Sequence, residues 1–133
     1  MSLEEFRQFR ERMNERILAF DNLEIRRFFA LDDRTYRDGA LAGRTKELLG
    51  LVASLVLRCD DCVTYHMVRC VEEGFNDAEI LEALSVGLVV GGSIVIPHLR
   101  RAVATLDELR LRADDAPAAT ATPHEHPRLE PAP

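Results

Sequence analysis

Hydrophobic residues recur at helical spacing along most of the chain. Between residues 3 and 20 the apolar side chains follow one another at three- and four-residue steps among charged residues, which predicts an amphipathic helix. The segment DNLEIRRFFALDD predicts a second short helix with Asp21 or Asn22 as its N-cap. The next segment, RTYRDGALAG, contains two glycines and no periodicity, so we expect a connector there.

The middle of the chain predicts two helices joined by a very short turn. Residues 44–58, RTKELLGLVASLVLR, are apolar almost all round, which is typical of a buried helix. Residues 60–74 predict a shorter helix, and Gly74 suits the left-handed residue that follows many helix C-termini. We therefore expect an antiparallel hairpin that turns near Leu57.

The last helical segments are separated by a glycine pair. Asn76 and Glu79 predict a capping box at the start of a helix that is expected to break near Gly91 and Gly92 and to resume through IPHLRRAVATLDELR. The β-branched stretch SIVI is too short to build a sheet around, and no longer strand-like alternation occurs. The pattern therefore predicts an all-α fold of about six helices.

The chain of 133 residues is long enough for one domain with a hydrophobic core. We predict that this single helical domain spans residues 1–112. Residues 113–133 contain five of the six prolines and many alanines, which predicts a disordered tail. The HEH sequence in that tail would bind a divalent metal only weakly, so a solvated tail without such a role is the favoured interpretation.

The net charge and the apolar runs exclude two classes of partner. A net charge of −6 and a pI of about 5.2 provide no basic surface for nucleic acid. The longest uncharged run, residues 83–97, is about five residues short of a membrane span. The charged N-terminal segment does not resemble an export signal, so we expect a cytoplasmic protein. In that compartment a C-x-x-C pair indicates redox activity or metal binding.

All three cysteines and one histidine fall within the stretch RCDDCVTYHMVRC, and on a helix they share one face. In a metal site, Cys59, Cys62 and His66 would supply three ligands, with Glu47 as a fourth. A structural zinc site usually needs a second cysteine pair, which this chain lacks, and Cys70 lies about 16 Å from Cys59 along a helix axis. We therefore favour redox chemistry over metal binding.

A redox role assigns different tasks to the two cysteines. A dithiol at a helix start benefits from the positive end of the helix dipole, although Asp60 and Asp61 oppose thiolate formation. His66 follows Cys62 by one helical turn and is placed to accept its proton, whereas Cys59 lies nearly two turns away. Cys62 is therefore the candidate nucleophile, and Cys59 is the candidate resolving thiol.

Glu47 enters this site through the geometry of the predicted hairpin. Glu47 and His66 would lie about 15 and 13.5 Å from the turn along their helix axes, so their side chains come level. A carboxylate in an apolar helix is costly to bury unless it is paired. We expect Glu47 to face His66, directly or through water, and to orient the imidazole.

The complete pattern is a glutamate, eleven intervening residues, C-x-x-C, three residues and a histidine. Together with GFNDAEILEAL and VVGGSIVIPHLRRAVATLDEL, it resembles the C-x-x-C-containing branch of the alkylhydroperoxidase D-like, carboxymuconolactone decarboxylase superfamily over roughly residues 3–111. The resemblance implies an all-helical fold, homotrimers or homohexamers, and hydroperoxide reduction; we expect neither a cofactor nor a metal.

In that superfamily the second cysteine attacks peroxide and the first resolves it, which match Cys62 and Cys59, while Glu47 and His66 match the proton relay. The best-studied members have a further histidine directly before the second cysteine, where this chain has Asp61. The decarboxylase branch lacks the C-x-x-C, so lactone decarboxylation is not expected.

The resulting prediction is an antioxidant thiol peroxidase that cycles between the Cys59–Cys62 dithiol and disulfide. Its substrate would be a hydroperoxide, and its reductant an external dithiol such as a thioredoxin-like or lipoyl protein. One alternative is a protein dithiol–disulfide oxidoreductase with the same site. The other is a non-enzymatic oligomeric metal-binding protein.

Residues around the motif have simpler interpretations. We expect Cys70 to fill the core and His98 to be structural or to lie at an interface. Gly87 and Gly91 allow another helix to approach closely. Because residues 83–96 have so little polar surface, we favour a subunit interface there.

Overall fold

Six α-helices and one short 3₁₀ turn make up residues 1–115, the part of the chain that the computed structural model describes. No strand occurs within this range. The predicted all-α fold of about six helices is therefore confirmed. In chain order the helices are α1 Leu3–Leu18, α2 Leu23–Thr35, α3 Gly43–Val56, α4 Asp60–Glu72, α5 Asp77–Gly91 and α6 Ile96–Asp115, with the 3₁₀ turn Ser93–Val95 before α6.

The core lies between the last four helices. Helix α3 packs against both α4 and α5, and α4 packs on its other side against α6. These contacts bury apolar side chains from all four helices. The fully buried large side chains are Leu51, Leu55, Met67, Ile80, Leu84, Val95 and Cys70.

A tight turn joins α3 to α4 and determines where the C-x-x-C begins. Arg58 has a φ of 59°, in the left-handed region that few side chains adopt. The backbone N–H of Cys59 then donates to the carbonyl of Ser54 at 3.1 Å, which closes the end of α3. Cys59 is thereby left as the N-cap of α4.

The helix ends and the capping box predicted for the second half of the chain are present. Gly74 follows α4 with a φ of 87°, and Gly92 ends α5 with a φ of 79°. The Asn76 side chain accepts from the N–H of Glu79, and the Glu79 side chain accepts from the N–H of Asn76. This reciprocal pair is the predicted capping box.

The two glycines of α5 permit close contacts within the chain. The subunit interface expected over residues 83–96 stays a prediction. A Cβ added at Gly87 would lie 3.0 Å from Cδ2 of Leu55 on α3. One added at Gly91 would lie 2.7 Å from Cγ1 of Val95 in the following turn. Gly87 therefore permits α5 to pack closely against α3 in the core.

Helices α1 and α2 contribute little to this core. Helix α1 buries only Leu3, whose N–H donates to Glu108 on α6 at 3.2 Å. Of the two N-caps predicted for helix α2, Asp21 and Asn22, the structure has Asn22. None of the residues of α2 is buried. Its apolar face, which includes Phe28, is exposed.

Helix α6 continues past the predicted domain boundary at residue 112 to Asp115. The rest of the predicted tail, including its HEH sequence, lies outside the described residues. Within the described part, no helix combines the length and apolarity needed to cross a membrane.

Candidate dithiol active site

The two cysteines of the C-x-x-C are joined as a disulfide at the N-terminus of α4. Their Cα atoms are 5.2 Å apart. The Cys62 N–H points at Sγ of Cys59 across 3.3 Å, so the first turn of the helix directs its free donors toward sulfur. Cys62 is exposed and Cys59 is partly buried. An incoming molecule therefore has access to Cys62.

Glu47 and His66 meet across the α3–α4 hairpin. Oε2 of Glu47 lies 2.8 Å from Nδ1 of His66, and the two residues are only 4% and 8% exposed. The hairpin thus brings the two side chains level, which is the arrangement expected from the sequence. Because an ionised carboxylate only accepts hydrogen bonds, Nδ1 carries the proton that it shares with Glu47.

A glycine on α3 makes room for the imidazole. A Cβ added at Gly50 would lie 2.7 to 2.9 Å from three ring atoms of His66, too close for any side chain. Gly50 follows Glu47 by three residues, so both face α4 from the same side of α3. Gly50 is a site residue beyond those expected from the sequence, although an isolated glycine in an apolar helix is a recognised sign of close packing.

Tyr36 occupies the other side of the imidazole. Its Oη lies 3.3 Å from Nε2 of His66, and the two rings are 5.2 Å apart. With the proton on Nδ1, Nε2 accepts and the tyrosine hydroxyl donates. Burial, followed by the nearby charges of Asp32 and Glu47, raises the pKa of Tyr36, which keeps the phenol protonated as a donor. Tyr36 lies in the stretch treated as a connector, where no periodic pattern indicated it.

Glu47 has a second, positively charged neighbour. Nε of Arg69 lies 3.5 Å from Oε1 of Glu47, while the same guanidinium binds Glu72 at 2.7 Å and Glu73 at 3.1 Å. Burying the Glu47 carboxylate is therefore offset by an imidazole on one oxygen and a guanidinium near the other. Tyr65 packs edge-on to His66 and carries the guanidinium of Arg10 over its ring at 4.2 Å.

The Cys59–Cys62 pair and the Glu47–His66 pair are not hydrogen-bonded to each other within residues 1–115. Among residues 1–115, no hydrogen bond joins His66 to Cys59 or Cys62 in this disulfide form. Both ring nitrogens already have partners. The structure therefore brings Glu47 to His66 and Cys59 to Cys62, and the link between the pairs stays a prediction.

Asp60, inside the C-x-x-C, is bound by helix α6. Its Oδ1 lies 2.7 Å from Nδ1 of His98, and its Oδ2 lies 2.5 Å from Nη1 of Arg101. Partial burial acts to raise the pKa of Asp60, but the hydrogen bonds and charges of His98 and Arg101 outweigh it and hold the pKa below its usual value. Asp61, by contrast, is exposed.

Cys70 lies in the core with none of its surface exposed. Burial, and then the charge of Glu47, raise its pKa to about 12. This thiol is therefore unreactive at neutral pH, as expected for a packing residue.

Metal binding has no support from the geometry of residues 1–115. Within that range no group of three or more His, Cys, Asp or Glu side chains is arranged to hold an ion. The four residues considered as zinc ligands are instead divided between a disulfide and a hydrogen-bonded pair.

The fold and the site together define a class of protein: an all-α domain with a dithiol–disulfide pair at a helix N-terminus and a buried Glu–His pair one turn further along. The family model of the carboxymuconolactone decarboxylase family matches residues 25–105, and the chain belongs to that family. This confirms the resemblance seen in the sequence.

Solved structures of relatives have the same fold. Two crystal structures of TM1620 from Thermotoga maritima are 57% and 58% identical to this chain, with TM-scores of 0.83 and 0.80; they cover 85% and 84% of this chain and 99% and 94% of their own. TM1620 is a carboxymuconolactone decarboxylase family protein for which a part in the antioxidative response has been suggested. The apo structure of lpg0406 from Legionella pneumophila, of the same family, is 25% identical with a TM-score of 0.59, over 79% of this chain and 87% of its own.

A Paracoccus denitrificans protein encoded in the cox locus and uncharacterised is 33% identical over 82 residues, or 62% of this chain and 74% of its own.

Proposed function

We propose that this protein is an antioxidant thiol peroxidase that reduces hydroperoxides with the Cys59–Cys62 dithiol. The observation that carries the proposal is the position of an exposed Cys62, one helical turn from His66 and already paired with a resolving cysteine. A buried acid–imidazole pair next to a nucleophile is the usual arrangement for activating it.

The chemistry begins from the reduced dithiol. Cys62 loses its proton, and the thiolate attacks the outer oxygen of the hydroperoxide. The O–O bond breaks, the alkoxide takes up a proton to leave as an alcohol, and Cys62 becomes a sulfenic acid. The Cys59 thiol then attacks that sulfur, releasing water and forming the disulfide. An external dithiol returns both electrons and protons by thiol–disulfide exchange.

The Glu47–His66 pair would manage the proton in this cycle. The Glu47 carboxylate accepts a hydrogen bond from Nδ1–H of His66 and so keeps the proton on that nitrogen. Nε2 of His66 is then the basic atom. Because Tyr36 stands on Nε2, we propose that the proton from Cys62 reaches the imidazole through a water molecule or through the Tyr36 hydroxyl. The positive charge that results on His66 is stabilised by Glu47.

The family and one of its members support this proposal. The chain belongs to the carboxymuconolactone decarboxylase family, and an antioxidative role has been suggested for TM1620. The C-x-x-C favours peroxide chemistry over lactone decarboxylation. We propose a thioredoxin-like or lipoyl protein as the reductant, since either supplies a dithiol.

The test is a thiol count before and after one equivalent of an organic hydroperoxide. The reduced protein should lose two thiols per chain and release one equivalent of alcohol. Cys62→Ser should abolish both, whereas Cys59→Ser should still release alcohol once and stop at the sulfenic acid. Cys70→Ala is the matched control, since Cys70 is buried and should not take part. Wild-type peroxide consumption by Cys62→Ser in a dithiol-coupled assay would contradict the mechanism.

A protein dithiol–disulfide oxidoreductase is the second candidate, and one observation favours it. The disulfide is exposed at Cys62, and His66 makes no hydrogen bond to it within residues 1–115. Exchange with another protein needs access more than it needs a base. Reduction of a protein disulfide much faster than of any hydroperoxide would support this alternative.

A further inference from the structure

We propose that Arg101 and His98 on α6 are positioning residues of the dithiol. Through Asp60 they fix the first turn of α4 and offset a carboxylate that otherwise opposes thiolate formation at Cys62. The inference rests on the proposed function for its biological meaning, but it concerns the acidity of a thiol, which is measured without any peroxide.

The contact connects distant parts of the chain at the reactive motif. Asp60 follows Cys59 directly, and each of its two oxygens has its own donor on α6, at 2.7 Å from His98 and 2.5 Å from Arg101. The side chains of Asp60, His98 and Arg101 are 37%, 19% and 64% exposed. The contact with His98 is therefore partly shielded from solvent, whereas the ion pair with Arg101 is open to it and is screened by salt. Two donors on two oxygens also hold the carboxylate in one orientation.

The charge balance around the dithiol shows why this contact matters. Two carboxylates inside a C-x-x-C disfavour a further negative charge on sulfur. Arg101 carries a permanent positive charge and binds Asp60, so this pair is close to neutral, which leaves Asp61 as the exposed acid of the motif. The charged and titratable groups around the motif are Glu47 on α3, Arg58 in the turn, Asp60, Asp61 and His66 on α4, His98 and Arg101 on α6, and Tyr36 in the α2–α3 connector.

This arrangement predicts opposite effects for the two ends of the ion pair. Removing the Arg101 charge leaves Asp60 less compensated, so the thiolate of Cys62 is destabilised. Removing the Asp60 charge leaves Arg101 unopposed, so the thiolate is stabilised. A unit charge beside the motif, partly screened by solvent, is expected to change the thiolate population at neutral pH by about three- to tenfold. If the contact were purely structural, both variants would change the alkylation rate of Cys62 in the same direction.

The experiment measures alkylation of Cys62 by iodoacetamide against pH, in the full chain with Cys59→Ser as the common background. Intact mass reports the modification, and the buried Cys70 contributes nothing because its pKa is raised to about 12. Relative to that background, Arg101→Gln should alkylate about three- to tenfold more slowly at pH 7. Asp60→Asn should alkylate faster by a similar factor, and the double variant should return toward the background.

Three further variants complete the test. Arg101→Lys keeps the charge and should restore most of the rate. His98→Leu removes the second donor and should lower the rate, and an unchanged rate would remove His98 from the proposal. Arg100→Gln is the matched control, because Arg100 is exposed on the same helix and has no ion pair within residues 1–115.

The overturning result is equally specific. If Asp60→Asn and Arg101→Gln change the alkylation rate in the same direction, or both stay within twofold of the background, the proposal is wrong. Circular dichroism of each variant identifies any that fail to fold, and Arg101→Lys then decides the matter. The thiol count with hydroperoxide is independent, so the peroxidase proposal stands or falls separately.

Discussion

At His66, the two ring nitrogens have partners of different kinds. Glu47 is a charged acceptor on Nδ1, and Tyr36 is a neutral donor to Nε2. This asymmetry selects one tautomer and leaves the basic nitrogen on the side of the phenol. Gly50 closes off a third side of the ring. The imidazole is therefore held in one position, as the role of base proposed for it requires.

Tyr36→Phe tests the role of the phenol. The change removes one hydrogen bond to Nε2 and leaves the ring packing in place, so the free energy of unfolding should fall by no more than about 1 kcal/mol. We expect the rate of hydroperoxide reduction in a dithiol-coupled assay to fall about fivefold, because the imidazole loses its second anchor and its proton path. The measurement is the pH–rate profile of the variant against the wild type.

The matched control is Tyr65→Phe. Tyr65 also packs against His66, edge-on at 5.1 Å, but its hydroxyl makes no hydrogen bond to the ring within the described residues. Its rate should stay within about twofold of the wild type. Equal losses in the two variants would mean that ring packing matters and the Tyr36 hydroxyl does not.

At the scale of the elements, the hairpin of α3 and α4 explains how much of the site the sequence could predict. Its two helices are strongly patterned and its turn is short, so counting residues from the turn sufficed to bring Glu47 level with His66. Tyr36 could not be found in this way, because it reaches the site from a connector without periodicity. Its contact depends on the path of that connector, which only the tertiary structure determines.

The glycines of the helices likewise divide into those whose role the sequence could predict and those whose role it could not. Gly74 and Gly92 were predictable because a positive φ at a helix end is a local property. The partner of Gly87 was not, because a close approach has the same sequence pattern whether the second helix belongs to the same chain or to another. From the sequence, Asp60 could be recognised only as a charge that opposes thiolate formation. Its partners could not be predicted, because they lie 38 and 41 residues away along the chain.

Gly50→Ala tests the close approach of α3 to α4 at the site. Alanine favours a helix, but its Cβ would lie within 2.9 Å of the His66 ring, so the ring or the helix must shift. We expect the free energy of unfolding to fall by about 1 to 3 kcal/mol and peroxide reduction to fall at least tenfold. Urea denaturation and the dithiol-coupled assay measure the two effects.

Gly39→Ala is the control for this substitution. A Cβ at Gly39 meets only Nζ of Lys46 at 3.5 Å, which is an ordinary contact. Both activity and stability should stay near the wild-type values. Wild-type activity in Gly50→Ala would show that the position of the imidazole does not limit the reaction.

At the scale of the whole molecule, several large apolar side chains of α2 and α5 are exposed within residues 1–115. Helix α2 buries none of its residues, and an isolated helix of this length is marginal in water. Its exposed side chains Phe28 and Leu31 need a partner surface. On α5, Val89 and Val90 are 84% and 70% exposed, although the helix beneath them packs tightly on α3. Large exposed apolar patches mark interaction sites.

We propose that copies of this chain cover these surfaces in a homotrimer or homohexamer, and Val89→Asp tests it. The valine is exposed in the single chain, so its replacement should leave the helical content unchanged. A charge buried at a subunit contact is costly, so size-exclusion chromatography with light scattering at micromolar concentration should show the wild type as an oligomer and the variant shifted to smaller species. Ala104→Asp, which places the same charge on the exposed side of α6, should keep the wild-type mass. A monomeric wild type, or a variant that assembles as the wild type does, would require a different partner for this surface.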